Sequence, residues 1–235
     1  MDFKKQKLLV IAPHPDDEVI GCGGLIAKIK EAGGKVYVLF LTVGNTRDFT
    51  KVGLSTAKER IAEIEAVAKF LKYDNWDLAF KGNDYHLQLD TLGQKALMDV
   101  IERGSIVAIE RVKPTIVTFT SHKSHNQDHR IAAMAAHAAT RPAPYGTKHF
   151  VKNVLSYEEA ADLWTLENNM KVNLFLPLNQ TEIDAKVKSL KLYKSQLRPA
   201  PNLRSAQAMI TLAKLRGLQS GTNFAEAFVS YRNLI

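Results

Sequence analysis

A chain of 235 residues, 46% of them hydrophobic, has ample material for a packed core, so disorder is excluded and one α/β domain spanning residues 1–235 is the expectation. A single cysteine, Cys22, excludes an internal disulfide framework and fits a reducing compartment, the cytoplasm. The net charge of +8 suits an anionic partner, yet no apolar stretch approaches a membrane span, and the charged start before a short apolar run is no signal peptide.

Residues 8–12, an apolar run bounded by proline and charge, predict a short buried strand. Residues 19–31 predict a helix ended by Gly33-Gly34, and residues 35–42 a second strand. A polar loop over 44–53 follows, and Ser55 is the expected cap of a helix running to Lys72. Residues 76–80 predict a third strand, stopped by Gly82, and residues 92–111 a helix with a weak point at Gly104. Residues 115–120 read as a strand, after which Asp128 opens an alanine-rich helix to Thr140. Past Pro142 and Pro144, residues 150–157 and 172–176 read as strands, and 182–197 and 205–218 as helices. Lys186, Lys188, Lys191 and Lys194 alternate there with Val187, Leu190 and Leu192, as on a solvated helix face, which argues against direct nucleic-acid binding. The alternation of strand and helix predicts an α/β fold, a mostly parallel sheet with helices on both faces. A homo-oligomer is left open.

Directly behind the first strand stands His14-Pro15-Asp16-Asp17-Glu18. Open α/β sheets hold their ligands at the carboxyl ends of strands. His14 and Asp17 offer one nitrogen and one oxygen donor, a mix suited to a borderline metal such as zinc. Asp16 is left over, and a metal beside a spare carboxylate is a hydrolase design, because the metal acidifies a water and the carboxylate takes its proton. An Asp-rich helix cap explains one aspartate of the motif, not the whole set. The second polar cluster, His122-Lys123-Ser124-His125-Asn126-Gln127-Asp128-His129-Arg130, also follows a strand. His129 in the first turn of the next helix gives a third ligand, leaving a fourth position for water, as catalytic zinc sites do. His86, His137 and His149 lie outside both clusters, and His137 reads as a packing or solvent-facing residue. Gly21-Cys22-Gly23-Gly24 lacks dinucleotide-binding spacing, so Cys22 reads as a small residue packing helix on sheet.

His14-Pro15-Asp16-Asp17-Glu18 together with Asn126-Gln127-Asp128-His129-Arg130 resembles the LmbE-like family of zinc-dependent N-deacetylases, typified by N-acetylglucosaminyl-phosphatidylinositol de-N-acetylase. Arg60 and Glu63, Tyr157-Glu158, Tyr193, Ser195-Gln196, Ala225-Glu226-Ala227-Phe228 and Arg232 fall where related sequences carry similar residues. The resemblance implies a Rossmann-like fold and hydrolysis of the acetamido group of an N-acetylglucosamine-type sugar or glycoconjugate. It implies that His14, Asp17 and His129 bind Zn2+ (iron or manganese being open), that Asp16 is the general base and that Asp128 orients a neighbouring side chain. Asn126 departs from a histidine common at that position; as an amide it donates only a neutral hydrogen bond to the oxyanion, and His125 is adjacent. The loop over 42–48 lacks a glutamate often found there, which leaves Arg47 and Asn45 to hold substrate hydroxyls. Either His125 or His122 is placed to return a proton to the leaving amine, as is the carboxylate itself. Other readings of the same residues are an amidohydrolase acting on a non-sugar or antibiotic-like amide, a metal phosphohydrolase, and a basic nucleic-acid-binding protein with a vestigial metal site.

Overall fold

The continuous apolar runs become the inner strands of a seven-stranded sheet, as burial on both faces demands of parallel strands. The computed structural model describes residues 1–47, 54–144, 146–166 and 171–234. β1 (Lys7–Ala12) leads into α1 (Asp17–Glu31) and β2 (Lys35–Val43). A small antiparallel pair, β3 (Thr46–Arg47) and β4 (Leu54–Ser55), precedes α2 (Ala57–Leu71) and β5 (Asn75–Lys81). Then come α3 (Gly93–Asp99), α4 (Ile109–Val112), β6 (Ile116–Phe119), α5 (Gln127–Ala139) and β7 (Asn153–Tyr157). β8 (Leu174–Leu178), α6 (Gln180–Leu192), α7 (Ala206–Ser220) and β9 (Phe224–Asn233) follow.

The strand order is β5-β2-β1-β6-β7-β9-β8. The first five run parallel, and β9 is antiparallel to both its neighbours. From β1 the chain steps outward to β2 and β5, then crosses back to β6 on the other side of β1. The order therefore reverses between β1 and β6, and the crevice beyond their carboxyl ends is where such sheets take ligands. Helices cover both faces. One core joins Val10, Val38 and Phe40 to Ile26 of α1, Ile64 of α2 and Leu190 of α6. The other joins Ile11, Leu41 and Phe119 to Leu97 of α3 and the alanines of α5. Among the described residues no helix is long and apolar enough to cross a membrane.

Several boundaries differ from the sequence reading for local reasons. Thr56, not Ser55, caps α2: its hydroxyl accepts the Glu59 N–H while the Glu59 carboxylate accepts the Thr56 N–H, a reciprocal capping box. The helix expected over 92–111 is broken, because α3 widens into a π-helical turn at Val100–Gly104 and Asp77 of β5 then captures the Ser105 hydroxyl and the Ile106 N–H. β9 was not foreseen; its alternation is masked by Glu226, which points inward.

Glu226 also explains the glycines of α1. The helix kinks at Cys22 (φ −141°, ψ 29°), and the N–H groups of Gly24 and Leu25 donate to the Glu226 carboxylate at 2.7 and 2.8 Å. A Cβ on Gly21 would stand 2.1 Å from the Tyr157 ring, and one on Gly24 2.5 Å from Leu178, so these glycines serve close packing. Lys186 corrects the solvated-face reading of its helix: it is 4% exposed and its Nζ donates to Glu226 at 2.6 Å, while Lys188, Lys191 and Lys194 are not buried.

Candidate metal centre and active site

The turn after β1 builds the first half of the site. Asp16 takes a left-handed conformation (φ 101°), unusual for a residue other than glycine. Three hydrogen bonds hold it there: its N–H donates to Glu18 Oε2 at 3.1 Å, and its carbonyl accepts the N–H groups of Val19 and Ile20. Glu18 is itself pinned, with Oε1 accepting the hydroxyls of Tyr193 at 2.6 Å and Tyr73 at 3.2 Å. Asp17 opens α1, and its Oδ2 accepts the His14 N–H at 2.8 Å. The second half comes from β6 and α5. Asn126 caps α5, its Oδ1 accepting the Asp128 N–H at 2.9 Å, so the cap lies two residues before the Asp128 expected from sequence.

The two halves meet in the crevice at the switch point. Asp17 Oδ2 lies 3.4 Å from His14 Nδ1 and 3.3 Å from His129 Nε2. All three side chains are buried, and their donor atoms fall within 4.8 Å of one another. Ligand atoms about 2.0–2.1 Å from a tetrahedral zinc sit about 3.3 Å apart, so the two spacings to Asp17 fit such an ion. The outer nitrogens are both engaged: His14 Nε2 donates to Asp128 Oδ2 at 2.9 Å, and His129 Nδ1 meets Thr120 Oγ1 at 2.9 Å. Asp128 in turn accepts the Leu89 N–H. Asp16 lies alongside, 4% exposed, with Oδ2 lacking any partner.

The electrostatics of the site follow from this crowding. Burial opposes a charge on His14, but its hydrogen bonds to Asp128 and Asp17 prevail and raise its pKa to about 9. Burial likewise pushes Asp17 up, yet the charge and hydrogen bond of His129 and the hydrogen bond of His14 hold its carboxyl well below the usual range. Asp16 has no such partner: burial and then the Asp17 charge raise it to about 6, against the pull of Arg60, Arg204 and His14. Burial also lifts Glu18 to about 8. Glu159 is raised too, by burial and then by the charges of Asp17, Asp162 and Asp16.

A cavity of about 550 Å³ opens over these groups. His125 and Asn126 line it. His122 does not; it meets the Tyr231 hydroxyl at 3.3 Å. Asn45, a candidate for substrate contact, is directed elsewhere: its Oδ1 accepts the Ala57 N–H at 2.9 Å and so pins the start of α2. Thr46, the next residue, reaches the cavity instead. Arg47 gives backbone to β3, while its side chain and Asp48 lie outside the described residues.

Several lining residues were not given a role in the site from sequence, among them His86, Glu159, Gln196 and Arg204. His86 packs edge-on against His14 with ring centroids 5.3 Å apart. Arg60, which the resemblance picked out without a role, is 2% exposed and its Nη1 donates to Thr46 Oγ1 at 3.2 Å and His86 Nε2 at 3.3 Å. Since a guanidinium only donates, His86 Nε2 is an acceptor and the ring is neutral. Burial, with the charges of His14 and Arg60, accordingly lowers the His86 pKa to about 3. The resemblance picked out Gln196, like Arg60, without a role, and for Glu159 its place directly after Tyr157-Glu158 was the available signal. His137 is exposed against Tyr231, and Cys22 is buried, as read.

Comparisons with known proteins agree with this geometry. Over 196 residues, 82% of this chain and 92% of the other, the sequence is 28% identical to the uncharacterized deacetylase YaiS of Escherichia coli K12. It is 26% identical over 163 residues to a 1D-myo-inositol 2-acetamido-2-deoxy-alpha-D-glucopyranoside deacetylase of Geodermatophilus obscurus, covering 59% of this chain and 55% of that one. A conserved protein of Thermus thermophilus, TT1542, superposes with a TM-score of 0.73 at 25% identity, over 98% of this chain and 96% of its own. The pattern of the GlcNAc-PI de-N-acetylase family matches residues 9–140, a stretch that contains His14, Asp16, Asp17, Asp128 and His129. The chain belongs to that family, PIG-L, whose resemblance its two strand-end motifs already carried.

Proposed function

We propose that this protein is a metal-dependent hydrolase that removes the N-acetyl group from an N-acetylglucosamine-type sugar or sugar conjugate. The observation that carries the reading is the convergence of His14, Asp17 and His129 on one point, with the unpartnered Asp16 carboxylate beside it in a cavity large enough for a sugar. His14 Nδ1, Asp17 Oδ2 and His129 Nε2 would hold the ion, which we take to be zinc. Asp128 and Thr120, on the outer nitrogens, fix the tautomer and orientation of the two rings. A cation held there supplies Lewis acidity toward a water and toward the acetamide carbonyl.

The chain's own groups do the rest. Asp16 takes a proton from the water as its oxygen bonds to the carbonyl carbon, and its raised pKa suits a base working near neutrality. The Asn126 oxygen is committed to its cap, which leaves the amide N–H₂ to donate toward the developing oxyanion. Asp16 then returns that proton to the departing nitrogen, or His125 gives up its own, as the C–N bond breaks to give the free amine and acetic acid, which ionises to acetate. Support for a sugar substrate comes from the family and from the inositol-linked acetamido sugar in the name of the Geodermatophilus relative. The single buried cysteine supports a reducing setting such as the cytoplasm.

The test is acetate release from free, nucleoside-diphosphate-linked and inositol-linked N-acetylglucosamine, with a chelator and with zinc added back. Release that the chelator stops and zinc restores is the expected result. Absence of release from every substrate, in protein carrying stoichiometric metal, would contradict it.

A further inference from the structure

Glu159 enters the cavity just past the carboxyl end of β7, the strand beside β6, so β1, β6 and β7 each send a carboxylate or imidazole into one crevice. It is 4% exposed, and its Oε1 is buried with no hydrogen-bond partner. Its neighbour Glu158, equally buried, is gripped through both oxygens by Arg216. A carboxyl oxygen withdrawn from water without a partner loses its hydration with no hydrogen bond at that atom to offset the loss.

The rest of the cavity explains what is missing there. A sugar presents hydroxyl protons, yet most side-chain acceptors along the wall are already engaged. Thr46 Oγ1 and His86 Nε2 accept from Arg60, Ser124 Oγ from the Asn126 N–H, and Asn126 Oδ1 from the Asp128 N–H. Gln196 Oε1 accepts from Arg204, and Asn202 Oδ1 from the Arg204 N–H. Arg60 and Arg204 only donate. Asp16 is assigned to the water. Asn45, one of the two residues expected to hold hydroxyls, is turned to α2.

We infer that Glu159 is the carboxylate that holds the substrate, accepting a hydrogen bond from a hydroxyl of the sugar that bears the acetamido group; this rests on the deacetylase reading. It makes Glu159 a specificity residue. Sugars lacking that hydroxyl are rejected because they leave the carboxyl bare.

The experiment is calorimetric titration of the zinc-loaded protein with the methyl glycoside of N-acetylglucosamine and its 3-, 4- and 6-deoxy analogues. Wild type, Glu159→Ala, Glu159→Asp and Glu159→Gln are compared, with melting curves and zinc content as controls. One deoxy analogue should bind wild type about tenfold more weakly than the parent. That penalty should vanish in Glu159→Ala and Glu159→Asp, either of which decides the matter if the other fails to fold. Glu159→Gln, which keeps an acceptor, should retain most of it. Equal binding of all four sugars to wild type, a penalty that persists without Glu159, or no binding of any of them overturns the inference. The expected pattern without acetate release would instead sink the deacetylase reading and leave Glu159 as a sugar-binding group.

Discussion

Two buried carboxylates next to α1 differ in what surrounds them. Glu226, 3% exposed, accepts two backbone N–H groups freed by the kink and the ammonium of Lys186. Asp16, 4% exposed, leaves Oδ2 bare in a cavity. Burial is the same, and satisfaction is opposite. Where a carboxylate holds the fold, the chain surrounds it with donors; where it faces substrate, the chain leaves it open and lets its pKa rise.

Substitutions can break this contrast from either side. Asp16→Ala should lower turnover by about 10²–10⁴-fold, with zinc content and melting temperature near wild type. Acetate release beside elemental analysis checks this, and a variant keeping most of its activity would remove Asp16 as the base. Glu226→Ala should do the reverse, costing about 3–5 kcal/mol of stability because Lys186 is left buried without its partner. Urea unfolding measures the loss, and a change under about 1 kcal/mol would mean that the pair is dispensable. Smaller in effect, Asp128→Asn should weaken metal affinity by about 10–100-fold through the loosened His14 ring, as read by chelator competition. Unchanged affinity would show that His14 needs no such support.

The smallest test separates two uses of one residue. Asn126→Ala should cost about 1 kcal/mol by removing the cap of α5. Asn126→Asp should restore the stability but not the turnover, since a carboxylate accepts the Asp128 N–H yet cannot donate to an oxyanion. Equal activity of the Asp variant and wild type would free Asn126 of any part in the chemistry.

The sequence made legible what is local. An apolar run followed at once by His14-Pro15-Asp16-Asp17-Glu18 announces a buried strand with polar chemistry at its end, and residues 120–129 repeat the pattern; topology then joins the two. Contacts made by distant loops were not legible. His86 comes from the segment after β5; Asp128 and Gln127 tie residues 87–89 to the start of α5, and Thr46 and Arg60 meet its Nε2, so that it stands against His14. Gln196 and Arg204 arrive from beyond α6. β9 escaped notice because its inward-facing Glu226 looks polar until Gly24, Leu25 and Lys186 are placed around it. Lys186 misled for the matching reason, since a helical lysine looks solvated until its partner is seen.

The most direct test of the account is the metal content of the purified protein beside that of His129→Ala, measured by elemental analysis and by titration of the chelated forms with zinc. Wild type should take up one ion per chain, and His129→Ala should hold it far more weakly while remaining folded. A folded His129→Ala protein that binds zinc as tightly as wild type would contradict the ligand set on which the mechanism stands.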